Sequence, residues 1–179
     1  MIQLLGAAAN QTFEMPSIDY HQIAPILVVL GMAVVSVLVE AFVPREARRN
    51  VQLVLTFATL IVAFILVVSL AGQRALAAAG AVAVDGPSLF LQGSLLILAI
   101  MAALLVAEKG VDSAGDAFAA RANALPGSVD EREFTKRGWL TTEIWPLFLF
   151  SVGGMLMFVS GSDLLILFVA LEIMSLPLY

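Results

Sequence analysis

Apolar runs of about the length that crosses a bilayer, punctuated by short polar or basic stretches, dominate the pattern of this sequence. A helix needs about 20 predominantly apolar residues to cross a hydrocarbon core of ~30 Å. The pattern predicts such helices over about 23–43, 51–72, 88–107, 144–160 and 163–179. The first carries one charge, Glu40, within a turn or so of the Pro44–Arg45 boundary, and the second carries none. Pro146 falls in the first turn of the fourth, where its missing N–H leaves no intrahelical bond unmade. Only Gly161 and Ser162 separate the fourth helix from the fifth, so these two are expected to pack antiparallel. Gly93 with Ser94, and Gly153 with Gly154, are small enough to admit a neighbouring helix. For the glycine pair, the fifth helix is the candidate neighbour.

The punctuation assigns sides. The turn over 44–50 carries Arg45, Arg48 and Arg49. A short basic loop stays in the cytoplasm, which puts the N-terminus outside. The first nine residues contain no Lys or Arg, so they do not read as a cleaved signal peptide. Residues 73–87 are rich in Ala and Gly and end on the turn signal Asp85, Gly86, Pro87. They are expected to form an outer loop, too short to span. The one long polar segment, 108–143, holds Lys109, Arg121, Arg132, Lys136 and Arg137 among its acids and reads as a solvated cytoplasmic linker, with 116–124 as a candidate exposed helix. Trp139 and Trp145 bracket the next membrane entry, as interfacial aromatics do.

Composition turns this pattern into a class. Of 179 residues, 61% are hydrophobic and 13% charged, against about 25% charged in soluble domains. The expected fold is all-α: a polytopic transmembrane helix bundle with about five membrane helices in a single membrane domain over 1–179. Cysteine is absent and His21 is the only histidine, which removes the ordinary ligands of iron-sulfur clusters, haem and zinc. No cofactor is therefore expected in this chain. His21 stands where the chain enters the membrane and reads as an interfacial residue. A net charge of -5 with no basic stripe argues against nucleic acid.

Glu172 is the candidate that carries chemistry. It is the single acid inside the otherwise apolar stretch DLLILFVALEIMSLPLY. A carboxylate at bilayer depth costs roughly 3 kcal/mol on insertion scales, so such residues usually face a protein interior and serve a purpose. It lies nine residues after Asp163, ~13.5 Å along a helix and close to mid-bilayer. Ser175 and Tyr179 follow at i+3 and i+7 on the same face. Pro177 cannot donate to the carbonyl of Ile173 and is expected to break or kink the helix beside the acid. This stripe suits a proton path. The plainer reading is a neutral acid bonded to a backbone carbonyl or to Ser175 as helix glue. Glu40 is expected to reach the interface or pair with Arg45 or Arg48, with a proton-accessible acid as the functional alternative. The sequence offers it no second partner within the membrane. The stretch 163–179 is ~25 Å long as a helix, short of the hydrocarbon core, and the chain is read as the front part of a longer protein.

The run MLMFVSGSDLLILFVALEIMSLPLY over 155–179 resembles the helix-four and helix-five signature of the antiporter-like membrane subunits of respiratory complex I. The telling element is the acid, an apolar pair and then Ser-Leu-Pro-Leu-Tyr, here Glu172 to Tyr179. Glu40 late in the first helix and the basic turn at Arg45, Arg48 and Arg49 are similar too, while the 108–143 segment is longer than the family's link. The resemblance implies an inverted-repeat fold of which these are opening helices, in a bacterial inner membrane. It implies partners in the other membrane-arm subunits and the lipid bilayer. NADH, flavin, iron-sulfur clusters and quinone are implied only in partner subunits. It makes the chain a non-redox translocase subunit, with Glu172 matching a glutamate that pairs with a lysine on a later helix and Ser175, Pro177 and Tyr179 in support. The alternatives are a subunit of a related cation/proton antiporter and a purely structural or assembly piece.

Overall fold

Five α-helices and one small β-hairpin account for the residues that the computed structural model describes, 19–108 and 142–178. Helix α1 (Tyr20–Phe42) and helix α2 (Arg45–Ser69) meet at Val43 and Pro44. The Pro44 carbonyl accepts from the amides of Ala47 and Arg48 and starts α2 at once. Helix α2 therefore begins at Arg45 rather than near residue 51: the arginine turn is helical, since Arg, Glu and Ala favour helix. Strands β1 (Ala75–Ala77) and β2 (Val82–Val84) follow, and helix α3 (Gly86–Ala107) starts directly after them. Asp85 caps α3 by accepting from the Ser88 amide at 2.9 Å, and the Ser88 hydroxyl accepts from the Asp85 amide at 3.0 Å. This reciprocal box satisfies donors that a helix start leaves over. Helices α4 (Ile144–Ser160) and α5 (Leu164–Ser175) complete the bundle, and a 3₁₀ turn, Leu176–Leu178, continues α5.

The stretch read as a plain outer loop is an ordered antiparallel hairpin with Ala75 opposite Val84 and Ala77 opposite Val82, a small departure from a purely helical fold. Its turn places Ala78, Ala79 and Gly80 at φ of 50°, 58° and 90°, a left-handed path that costs the two alanines and not the glycine. The hairpin is pinned to the link before α5. The Ser162 amide donates to the Ala81 carbonyl at 2.9 Å, and Val82 bridges Gly161.

Helix α4 is the central column, packed against α1, α3 and α5 and touching α2. Val29 and Ala33 of α1, Leu60 and Ala63 of α2, Leu96 and Ala103 of α3, and Leu149 and Leu156 of α4 are fully buried around it. Gln92 of α3 donates to the Leu156 carbonyl at 3.3 Å. Trp145, expected at the membrane interface, is buried by the surrounding helices at 2% exposure. In α4's first turn it faces the other helices, and Trp139 lies outside the described residues. Among the described residues α1, α2 and α3 are long and apolar enough to cross a membrane, and α4 and α5 are shorter apolar helices. Outward faces carry large apolar side chains such as Val54, Ile65, Phe90, Leu98 and Leu105. This suits a bundle whose surroundings are lipid or further protein. The chain is a multi-pass membrane protein.

Candidate functional site

Helix α5 starts where Asp163 accepts from the Ile166 amide at 2.8 Å, the usual acidic N-cap. Its contact with the bundle is narrow: Ala170 is its one buried residue, while Leu164, Leu165 and Phe168 are exposed. Gly154 makes that contact possible. A Cβ at this position would stand 2.6 Å from the Met174 nitrogen and 3.0 Å from the Ala170 carbonyl oxygen, so only glycine lets the two backbones lie this close. The Ser151 hydroxyl donates to the Met174 carbonyl at 3.1 Å and fixes the register. Gly153, one residue earlier, faces the Leu30 side chain of α1 instead.

Glu172 sits on this segment, half-buried, two residues before the Met174 contact. Its backbone carbonyl accepts from the Leu176 amide and, at 3.4 Å, from the Ser175 hydroxyl. Its carboxylate makes no hydrogen bond or ion pair among the described residues. The Ser175 hydroxyl thus turns to the main chain and not to the acid. Regular helix stops at Ser175, and Pro177 lies within the 3₁₀ turn that follows. Glu172, Ser175 and Pro177 are grouped at one end of α5; Tyr179 lies outside the described residues.

Glu40 belongs to a separate cluster at the arginine-bearing end of the bundle. Its Oε1 accepts from Arg48 Nη1 at 3.0 Å and from the Thr142 hydroxyl at 2.6 Å, and its Oε2 accepts from Gln52 Nε2 at 3.1 Å. Gln52 is fully buried, accepting from the Ser36 hydroxyl at 2.6 Å and donating to the Ser36 carbonyl at 2.9 Å. Arg48 also donates to the Val43 carbonyl through Nε and Nη2, and Arg49 donates to the Ala107 carbonyl at 2.9 Å. The pairing with Arg48 is as expected, but the expectation that Glu40 lacks a second partner is overturned by Gln52 and Thr142. Sequence reasoning passed over Ser36, Gln52 and Thr142. Helical spacing carried a signal for two of them, because Ser36 lies four residues before Glu40 and Gln52 four after Arg48. Thr142, about a hundred residues away in the chain, had no such signal.

No protein-family model matches the chain. Curated relatives do. The sequence is 49% identical over 191 residues to the NADH-quinone oxidoreductase subunit N of Rhodococcus opacus (strain B4), covering 96% of this chain and 35% of that protein. Against the subunit N of Parafrankia sp. (strain EAN1pec) identity is 48%, covering 98% of this chain and 34% of the relative. Against that of Salinispora arenicola (strain CNS-205) it is 50%, covering 93% and 32%. The chain thus spans about a third of the length of these relatives.

Proposed function

We propose that this chain, which belongs to the NADH-quinone oxidoreductase subunit N family, serves in the membrane arm of that oxidoreductase and that Glu172 takes up and releases a transported proton. The observation that carries the reading is the state of Glu172: an acid on an apolar helix, half-buried, with its carboxylate open to a partner from outside the described residues. A carboxyl removed from water resists ionisation, and a cation brought within about 4–6 Å favours the ionised form. In the proposed cycle a cationic side chain that approaches and withdraws from Glu172 drives the exchange. Glu40 is the contrasting case, already engaged by Arg48, Gln52 and Thr142. A carboxylate so occupied is suited to holding structure.

The chain has no cysteine, and in this reading NADH, flavin, iron-sulfur clusters and quinone are handled by partner subunits. The bundle sits in the bacterial inner membrane with its N-terminus outside. In support, Arg45, Arg48 and Arg49 gather at one end of the described bundle, and the opposite end carries Arg74. The test is Glu172→Gln in the full-length subunit within the assembled complex. Protons moved per electron are expected to fall while the complex still assembles. Wild-type pumping refutes the role, and loss of assembly assigns Glu172 to helix packing.

A further inference from the structure

We infer that Glu40 is a positioning residue that fastens the start of α4 to the α1–α2 pair and thereby sets where Glu172 sits. The functional half of this inference rests on the proton role proposed above; the structural half does not.

Thr142 leads directly into α4, its carbonyl accepting from the Trp145 amide at 3.2 Å. Its side chain is buried and donates to Glu40 at 2.6 Å. Nothing else polar anchors this end of the helix among the described residues. Glu143, the N-cap, makes no capping bond with its side chain, and the Trp145 indole N–H has no acceptor. Glu40 itself is immobilised from the far side, since Arg48 and Gln52 hold it and Ser36 holds Gln52. The start of α4 is thus hydrogen-bonded to a fixed point on two other helices.

The rest of α4 is packed so that a displacement at its start is passed on. Leu149, Val152 and Leu156 are buried at 0–2% exposure, and close-packed interiors transmit strain and do not absorb it. From Ile144, two residues after Thr142, to Gly154 is ~15 Å of helix. At Gly154 the contact with α5 is backbone against backbone, at Met174, where no side chain can rotate to take up slack. Met174 is two residues from Glu172. A released α4 therefore moves the proposed proton site.

Spin labels at Arg45→Cys and Glu143→Cys, both exposed positions, report the distance between the arginine turn and the start of α4 in the full-length subunit cleared of any other cysteine. Thr142→Val keeps the shape and removes the donor. A hydrogen bond to a charged group is worth enough that its loss is expected to shift the seated-to-displaced balance of α4 about tenfold, broadening the distance distribution. Thr142→Ser should restore it. Glu40→Leu, which leaves the Thr142 hydroxyl without its acceptor, should broaden it as Thr142→Val does. In the assembled complex Thr142→Val should also lower protons moved per electron at unchanged abundance, with Thr142→Ser rescuing it. A wild-type distribution in Thr142→Val overturns the fastening, as does a wild-type one in Glu40→Leu. A broadened distribution with unchanged proton yield overturns the link to Glu172. The proton role itself is judged separately by Glu172→Gln.

Discussion

Gly154→Ala is the sharpest test of how α5 is held. The added methyl would lie 2.6 Å from the Met174 nitrogen, 2.8 Å from its Cα and 3.0 Å from the Ala170 carbonyl oxygen, and ordinary contact begins at 3.4 Å. Relief requires the α5 backbone to retreat by about 0.8 Å, the difference between 3.4 and 2.6 Å. Such retreat stretches the Ser151–Met174 bond from 3.1 Å beyond useful hydrogen-bonding range. Overpacking of this kind costs typically 1–3 kcal/mol, and a backbone obstacle belongs at the upper end. Gly153→Ala is the internal control. Its methyl meets the Leu30 side chain, which can rotate away for about 0.5–1.5 kcal/mol. Thermal unfolding of the full-length subunit in detergent should therefore rank wild type, Gly153→Ala and Gly154→Ala in falling order of stability. In the assembled complex Gly154→Ala should also lower proton yield, because Met174 and Glu172 move together. Equal stability for the two alanine variants would refute the claim that α4 and α5 meet through their backbones.

The buried polar residues of α2 should respond in opposite ways, read in the same unfolding assay. Gln52→Leu strips donors and an acceptor from Glu40 and Ser36 and is expected to cost about 1–3 kcal/mol. Thr56→Val removes a fully buried hydroxyl that has no partner among the described residues and should be neutral or stabilising by up to about 1 kcal/mol. At the hairpin end, the Ser88 amide, then the Ser88 hydroxyl, then the charge of Arg74 hold the Asp85 carboxyl below its ordinary range. A carboxyl depressed in the native state adds stability that is complete above its unfolded value, about 3.9, and that is lost as pH falls through the native one. Protection of the Ser88 amide, its exchange measured relative to the intrinsic rate at each pH, should fall as the solution is acidified below about pH 4, and Asp85→Ala should remove that pH dependence.

How much of this could be read beforehand follows from which forces are local. Helices α1, α3 and α4 lie on apolar runs of the sequence, and α1 and α3 have the length and hydropathy that crossing a bilayer requires. The adjacent glycines were legible as contact points, and the structure gives the geometric reason there are two. Successive helical residues point about 100° apart, so Gly153 meets α1 while Gly154 meets α5. The hairpin was not legible, since Ala75 to Val84 contains few β-branched residues and owes its pairing partly to the link before α5. Of the Glu40 cluster, Arg48 in the first turn of α2 was expected, and the helical spacing of Ser36 and Gln52 carried a signal that was passed over. Thr142 reaches it by tertiary folding, and a lone threonine in a polar stretch carries no periodic signal.

That difference separates the two membrane acids in a way that composition could not. Both are single carboxylates on apolar helices, Glu40 expected near the interface and Glu172 near mid-bilayer, and burying a carboxylate is costly. Glu40 has that cost met by three donors from other parts of the fold, so disturbing it breaks bonds that hold α1, α2 and α4 together. Glu172 has no such partners among the described residues, so a cation can approach or leave it without first breaking a side-chain bond within this bundle. The proton exchange proposed for Glu172 needs the second arrangement, and the proposed fastening of α4 through the first would set where that acid sits.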